Sequence, residues 1–131
     1  LLDYYAVLPA MRCRGLGAEL LARLRGVCAG RWQGIFIEAE DPAEAPDEGL
    51  AIRRLGFYTR AGARMLKWES RVFGVRYRLF CLPCTQPDAP AAEDDDLVGS
   101  LARLYHEMVP GPLYGPNVAF WRADAQRPTF G

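Results

Sequence analysis

Residues 6–21, AVLPAMRCRGLGAELL, decide how this chain is read. An apolar stretch meets Pro9, passes through an Arg12-Cys13-Arg14-Gly15-Leu16-Gly17 turn, and enters a leucine-rich run. The residues just before it, LLDYYAVL at 1–8, have the aromatic and apolar character of a strand, and Pro9 ends it. GLGAELLARLRGVCAG at 15–30 has helical spacing. Leu16, Leu20, Leu21, Leu24, Val27 and Cys28 fall on one face, and Gly30 is a stop. GIFIEAE at 34–40 is apolar on both faces until Glu38 and Glu40, as a buried parallel strand would be. Residues 1–40 therefore predict a strand–helix–strand unit with a right-handed crossover.

The remainder extends that unit. DPAEAPDEG at 41–49 is a polar, proline-marked loop. A helix is expected over 47–61, with Ala51, Leu55 and Tyr58 on one face and Gly62 as its cap. RMLKWESRVFGVRYRLFCL at 64–82 alternates as two strands. Leu66 and Trp68 oppose Lys67 and Glu69; Val75, Tyr77 and Leu79 oppose Arg76 and Arg78. A turn at Phe73-Gly74 makes them an antiparallel hairpin. The Pro-rich, acidic stretch 84–96 reads as a solvated linker whose Asp94–Asp96 end caps a last helix. Leu97, Leu101, Leu104, Tyr105 and Met108 stripe that helix, and a short extended piece follows at Val118–Trp121. The expected fold is α/β: a mixed sheet with a parallel strand–helix–strand core and a C-terminal antiparallel hairpin. Its organisation is a core at 1–83, a linker at 84–96, and a helix and tail at 97–131.

With 131 residues, half of them hydrophobic, and zero net charge, the chain suits one soluble globular domain and not a disordered one. Arg supplies 15 of 16 basic residues, which reads as a coding bias more than as a nucleic-acid surface. Residues 1–80 hold 13 basic and 9 acidic side chains, so an anionic ligand would favour that part. No run approaches the ~20 apolar residues that cross a membrane. Cys13, Cys28, Cys81 and Cys84 do not form a metal-ligand pattern; the single CxxC lacks a second pair, so no metal is expected. Reduced cytoplasmic thiols are the default. The chain starts without Met, inside a strand, so an N-terminal portion is expected to precede it.

The turn at 12–17 has two readings. Glycines there either let the chain reverse direction or bare the backbone for an anion. A helix N-terminus offers N–H groups outside the helical ladder and the positive end of its dipole. Arg12 and Arg14 add charge. The dinucleotide fingerprint is missing, since Leu20 stands where a third Gly would be, and no Gly-Lys-Ser/Thr follows.

YYAVLPAMRCRGLGAELLARL resembles the central motif of the GCN5-related N-acetyltransferases, the GNAT superfamily: a strand ending AV-x-P, then Arg/Gln-x-x-Gly-x-Gly/Ala, then a helix. GFYTRAGA at 56–63 is similar to that family's second hallmark, a helix ending in Tyr-x-x-x-Gly. The resemblance spans residues 1–82 and corresponds to the family's fourth to seventh strands, without its N-terminal strands. It implies acetyl transfer from acetyl-CoA to an amine of a small molecule or peptide, by direct attack on the thioester. It places the CoA pyrophosphate on Arg12, Cys13, Arg14, Gly15, Leu16, Gly17 and Ala18, and the pantetheine arm along Ala6 and Val7. Tyr58 becomes the general acid that protonates the leaving thiolate; otherwise it is a core tyrosine. Glu40 is the preferred general base among Asp3, Glu38 and Glu40. Composition and cysteine pattern point to a cytoplasmic chain without metal, nucleic-acid or membrane partners, and the apolar stripe of the last helix makes a homodimer one assembly. Many relatives carry Asn before the Tyr helix, where this chain has DEGLAIRR. The alternative reading is an incomplete, non-catalytic half-domain that binds CoA or a protein partner.

Overall fold

The computed structural model describes residues 1, 15–84 and 90–124. Four helices and four strands follow in chain order: α1 (Leu16–Cys28), β1 (Gly34–Glu40), α2 (Glu48–Arg60), β2 (Arg64–Val72), β3 (Val75–Pro83), α3 (Asp94–Met108), α4 (Gly111–Asn117) and β4 (Val118–Arg122). The strands make one sheet in the order β1-β3-β2-β4, and every pairing among them is antiparallel. The expected parallel pairing falls on residues 2–8, which lie outside the described residues. Within the described part, β1 pairs with β3 (Gly34 opposite Pro83, Glu40 opposite Tyr77). That neighbour was not foreseen: a hairpin read locally does not reveal which of its strands joins a third.

The hairpin turns on Phe73 and Gly74, with φ of 46° and 84°. Two consecutive residues at positive φ match the twist of the flanking strands, and Gly is the residue that adopts this region without strain. The resulting register sets Glu69 opposite Arg78 and Arg71 opposite Arg76.

Side chains alternate across the sheet and build two apolar layers. Ile35, Ile37 and Ala39 of β1 and Phe80 and Leu82 of β3 meet Leu21 and Cys28 of α1 and Tyr58 of α2. Of the helical face expected on α1, Leu21, Leu24 and Cys28 turn inward, whereas Leu20 and Val27 are exposed. On the other face, Leu66, Leu79, Cys81 and Val118 meet Val98, Leu101 and Tyr105 of α3. Helix α3 therefore packs on this face of the sheet.

The acidic run at 93–96 is mostly exposed, yet two of its carboxylates are engaged where α3 begins. Glu93 is the α3 N-cap and makes no side-chain capping bond. Asp94 instead accepts from Arg64 Nη1 and, at 2.8 Å, from the Lys67 N–H. Asp95 accepts from Trp68 Nε1 at 2.9 Å and from Arg122 Nη2 at 2.6 Å. These bonds fasten the start of α3 to β2 and β4. The Pro/Gly-rich tail also hides a short helix, α4. Pro112 near its start is tolerated because first-turn N–H groups lack helical partners.

Candidate functional site

Gly15 is the N-cap of α1, with φ 73° and ψ 6° in the left-handed region. Among the described residues a Cβ built there would meet nothing within 4 Å, so the positive φ is what asks for glycine. Its carbonyl accepts the Glu19 N–H at 3.0 Å and so opens the helical ladder. Leu16, Gly17 and Ala18 form the first turn, where helix geometry directs N–H groups outward. No side chain caps them from Gly15. Among the described residues nothing crowds Gly15, and a helix N-terminus of this kind carries the positive end of the helix dipole. Glu19, also in the first turn, opposes an anion there, but it is engaged by Arg23 at 2.8 Å. Ala6, Val7, Arg12, Cys13 and Arg14 lie outside the described residues.

Tyr58 sits on α2 and is buried against the sheet. Its ring stands 5.9 Å from Phe80 and 5.3 Å from Phe57. Asp47 begins this helix properly, accepting the Leu50 N–H at 2.9 Å. Glu40 ends β1 and lines a recess of about 190 Å³ with Glu44, Pro46, Gly74 and Val75. Strand alternation puts Ile35, Ile37 and Ala39 on the Tyr58 face, and Glu38 and Glu40 on the other. The expected acid and the expected base thus belong to opposite faces of the sheet.

Glu38 has a different engagement. Tyr105 Oη of α3 lies 2.9 Å from Glu38 Oε1 and 2.7 Å from Oε2. The C-terminal helix, whose contribution the sequence left open, thereby holds a β1 carboxylate.

The most heavily charged part of the interior was missed altogether. Asp41, Glu69 and Arg76 are each at least 95 % buried, and Arg78 is partly so. Arg76 Nη2 contacts Glu69 Oε2 at 2.9 Å, and its Nε lies 3.2 Å from Asp41 Oδ2. Arg78 Nε bridges both acids, 2.8 Å from Asp41 and 3.3 Å from Glu69. Trp121 Nε1 donates to Glu69 at 3.0 Å, and the Ala43 N–H donates to Asp41 at 2.8 Å. Burial alone would raise the Asp41 pKa. The Ala43 N–H, the Arg78 hydrogen bond and the two guanidinium charges outweigh it and hold the carboxyl below its usual range. Two acids and two arginines neutralise one another, so the cluster joins the loop after β1 to the hairpin instead of presenting a charge. A signal was available: the Phe73-Gly74 turn fixes Glu69 opposite Arg78.

Among the described residues, no group of three or more His, Cys, Asp or Glu side chains is arranged to hold a metal ion. No helix there is long and apolar enough to cross a membrane. Compared with models of known families, with curated proteins and with solved structures, the chain matches none.

Proposed function

We propose that the chain is the cofactor-binding part of a GNAT-type acyl-CoA N-acyltransferase, moving an acetyl group from acetyl-CoA to an amine. The observation that carries this reading is the left-handed Gly15 at the start of α1. It stands in the sequence motif Arg12-Cys13-Arg14-Gly15-Leu16-Gly17 and leads straight into the N-terminus of α1. That combination is what a pyrophosphate needs from a backbone. Tyr58, in the second motif, falls on the sheet-facing side of α2 and not on its solvent side.

In this reaction a neutral amine attacks the thioester carbonyl, the C–S bond breaks, and the thiolate takes a proton. Tyr58 Oη is the proposed donor, because a phenol near a leaving thiolate lowers the cost of its charge. Holding thioester and amine together supplies the larger share of the rate. Glu40, on the opposite face, receives the amine proton only through water.

That separation of Glu40 from Tyr58 favours a second reading, a domain that binds CoA without turning it over. Thiol release from acetyl-CoA across a panel of primary amines decides between them. The enzyme reading expects release, with Tyr58→Phe lowering turnover by 10²-fold or more on the scale of general acid catalysis. Unchanged turnover in Tyr58→Phe removes it as the acid; no release with any amine leaves the binding domain.

A further inference from the structure

The recess of about 190 Å³ that holds Glu40 lies between the end of β1 and the hairpin turn. Pockets for drug-sized ligands begin at about 300 Å³, so this one suits a group the size of a single amino-acid residue. Its wall carries two carboxylates, Glu40 and Glu44, and Arg76. Arg76 is only 5 % exposed, yet its Nη1 makes no hydrogen bond. The rest of the guanidinium is taken: Nη2 meets Glu69 and Nε meets Asp41. Nη1 is turned to Glu44, whose Oε1 stands 3.9 Å away, beyond hydrogen-bond reach. Glu44 does not close that gap, because Arg71 Nη2 takes both of its oxygens, at 2.9 and 2.7 Å. A buried donor without an acceptor is costly, and native proteins leave few of them. The partner that Nη1 lacks is an acceptor at the wall of this recess.

We propose that this recess binds the acceptor, and that the acceptor carries a carbonyl beside its amine: an α-amino amide, as at the N-terminal residue of a peptide. Calling the ligand an acceptor rests on the acyl-transfer reading; its binding does not. The carbonyl oxygen accepts from Arg76 Nη1. Glu44, whose side chain is 37 % exposed, swings outward to admit it. The ammonium turns towards Glu40 and reaches it through water. A plain alkylamine satisfies Glu40 but leaves Nη1 without its acceptor. A free amino acid is disfavoured as well. Its carboxylate would meet Glu40 and Glu44 in the same wall, while Arg76 already serves Asp41 and Glu69.

The test titrates the full chain with alaninamide, without acetyl-CoA, and follows backbone amides by nitrogen-edited NMR. Two analogues are compared: alanine, and the isostere with an isopropyl group in place of the amide. Saturable shifts are expected at the Glu44, Ala45 and Val75 amides of the recess. Both analogues should bind at least about tenfold more weakly, the worth of one hydrogen bond to a charged group. Glu40→Gln should weaken alaninamide by a similar factor, and Glu48→Gln, in the first turn of α2, should not. If no recess amide shifts saturably, or if the isopropyl isostere binds as tightly as alaninamide, the proposal is overturned. Thiol release from acetyl-CoA is scored apart. Alaninamide bound at the recess but never acetylated upholds the site and removes the acyltransferase; alkylamines acetylated without alaninamide binding do the reverse.

Discussion

Replacing Arg76 by Met removes the cation at the centre of the buried cluster while keeping a long apolar side chain in its place. Arg76 is only 5 % exposed and lies within 3.2 Å of one acid and 2.9 Å of another. Stripping one partner from a buried ion pair costs about 3–5 kcal/mol, because the abandoned charge cannot return to water. Here two carboxylates, Asp41 and Glu69, are abandoned together. Arg78 offsets part of that loss, since its Nε already reaches both. The Ala43 and Trp121 donors also stay in place. The expected loss is therefore at the lower end, about 3 kcal/mol, or roughly 10 °C in Tm. Urea unfolding followed by circular dichroism at pH 7 measures it, with the slope against urea unchanged. Adding Glu69→Gln to Arg76→Met should cost less than the two single losses combined, because the second change removes one abandoned charge. A loss below about 1 kcal/mol for Arg76→Met would refute the view that this arginine holds the two acids in the interior.

Three further outcomes follow from the same contacts. Asp41 and Asp94 should make the fold acid-sensitive. Burial would raise both, but for Asp41 the Ala43 N–H with Arg78 and Arg76, and for Asp94 the Lys67 N–H with Arg64, hold the folded pKa below the usual value. Their stabilisation is complete above the unfolded carboxylate pKa of about 3.9 and is lost as pH falls below it through the lowered folded values. Urea midpoints measured from pH 6 down to pH 2.5 should fall, and less steeply in Asp41→Asn; a flat profile contradicts the assignment. Gly15→Ala should cost about 1 kcal/mol, since the left-handed conformation penalises a Cβ but the space around it is open. A loss beyond about 3 kcal/mol would mean a clash that the open surroundings do not predict. Tyr105→Phe should lower stability by about 1.5–3 kcal/mol through its bond to the Glu38 carboxylate, and an unchanged thermal melt would show that this bond adds nothing to the docking of α3.

Local chemistry was legible where a pattern repeats over neighbouring residues. GIFIEAE became β1 over the very span read for it, and 47–61 became α2 within a residue at each end. The Phe73-Gly74 turn and the Val118 strand also stood out. What escaped depends on residues far apart in the chain. Pairing of β1 with β3 joins Gly34 to Pro83, and nothing local to either reveals the other. Glu69, Arg76 and Arg78 looked like the outward half of an alternating hairpin, yet Asp41 and Trp121 arrive from distant segments and bury them. The exposed acidic run at 93–96 likewise draws its partners Arg64, Trp68 and Arg122 from distant segments. Within the candidate site, a glycine at the start of α1 and the sheet-facing side of α2 that carries Tyr58 were legible from spacing. The relation of Glu40 to Tyr58 was not, because only the sheet decides which face a strand residue takes.

The central claim, that the turn at 12–17 receives the pyrophosphate of acetyl-CoA, is tested most directly by calorimetric titration of the folded chain. The account predicts saturable binding of acetyl-CoA to the parent chain, weakened at least tenfold in Gly15→Leu, where a bulky side chain intrudes beside the first helical turn. Charge reversal of Arg12 and Arg14 should weaken it less. No heat at millimolar acetyl-CoA from a chain that is folded by circular dichroism would contradict the claim.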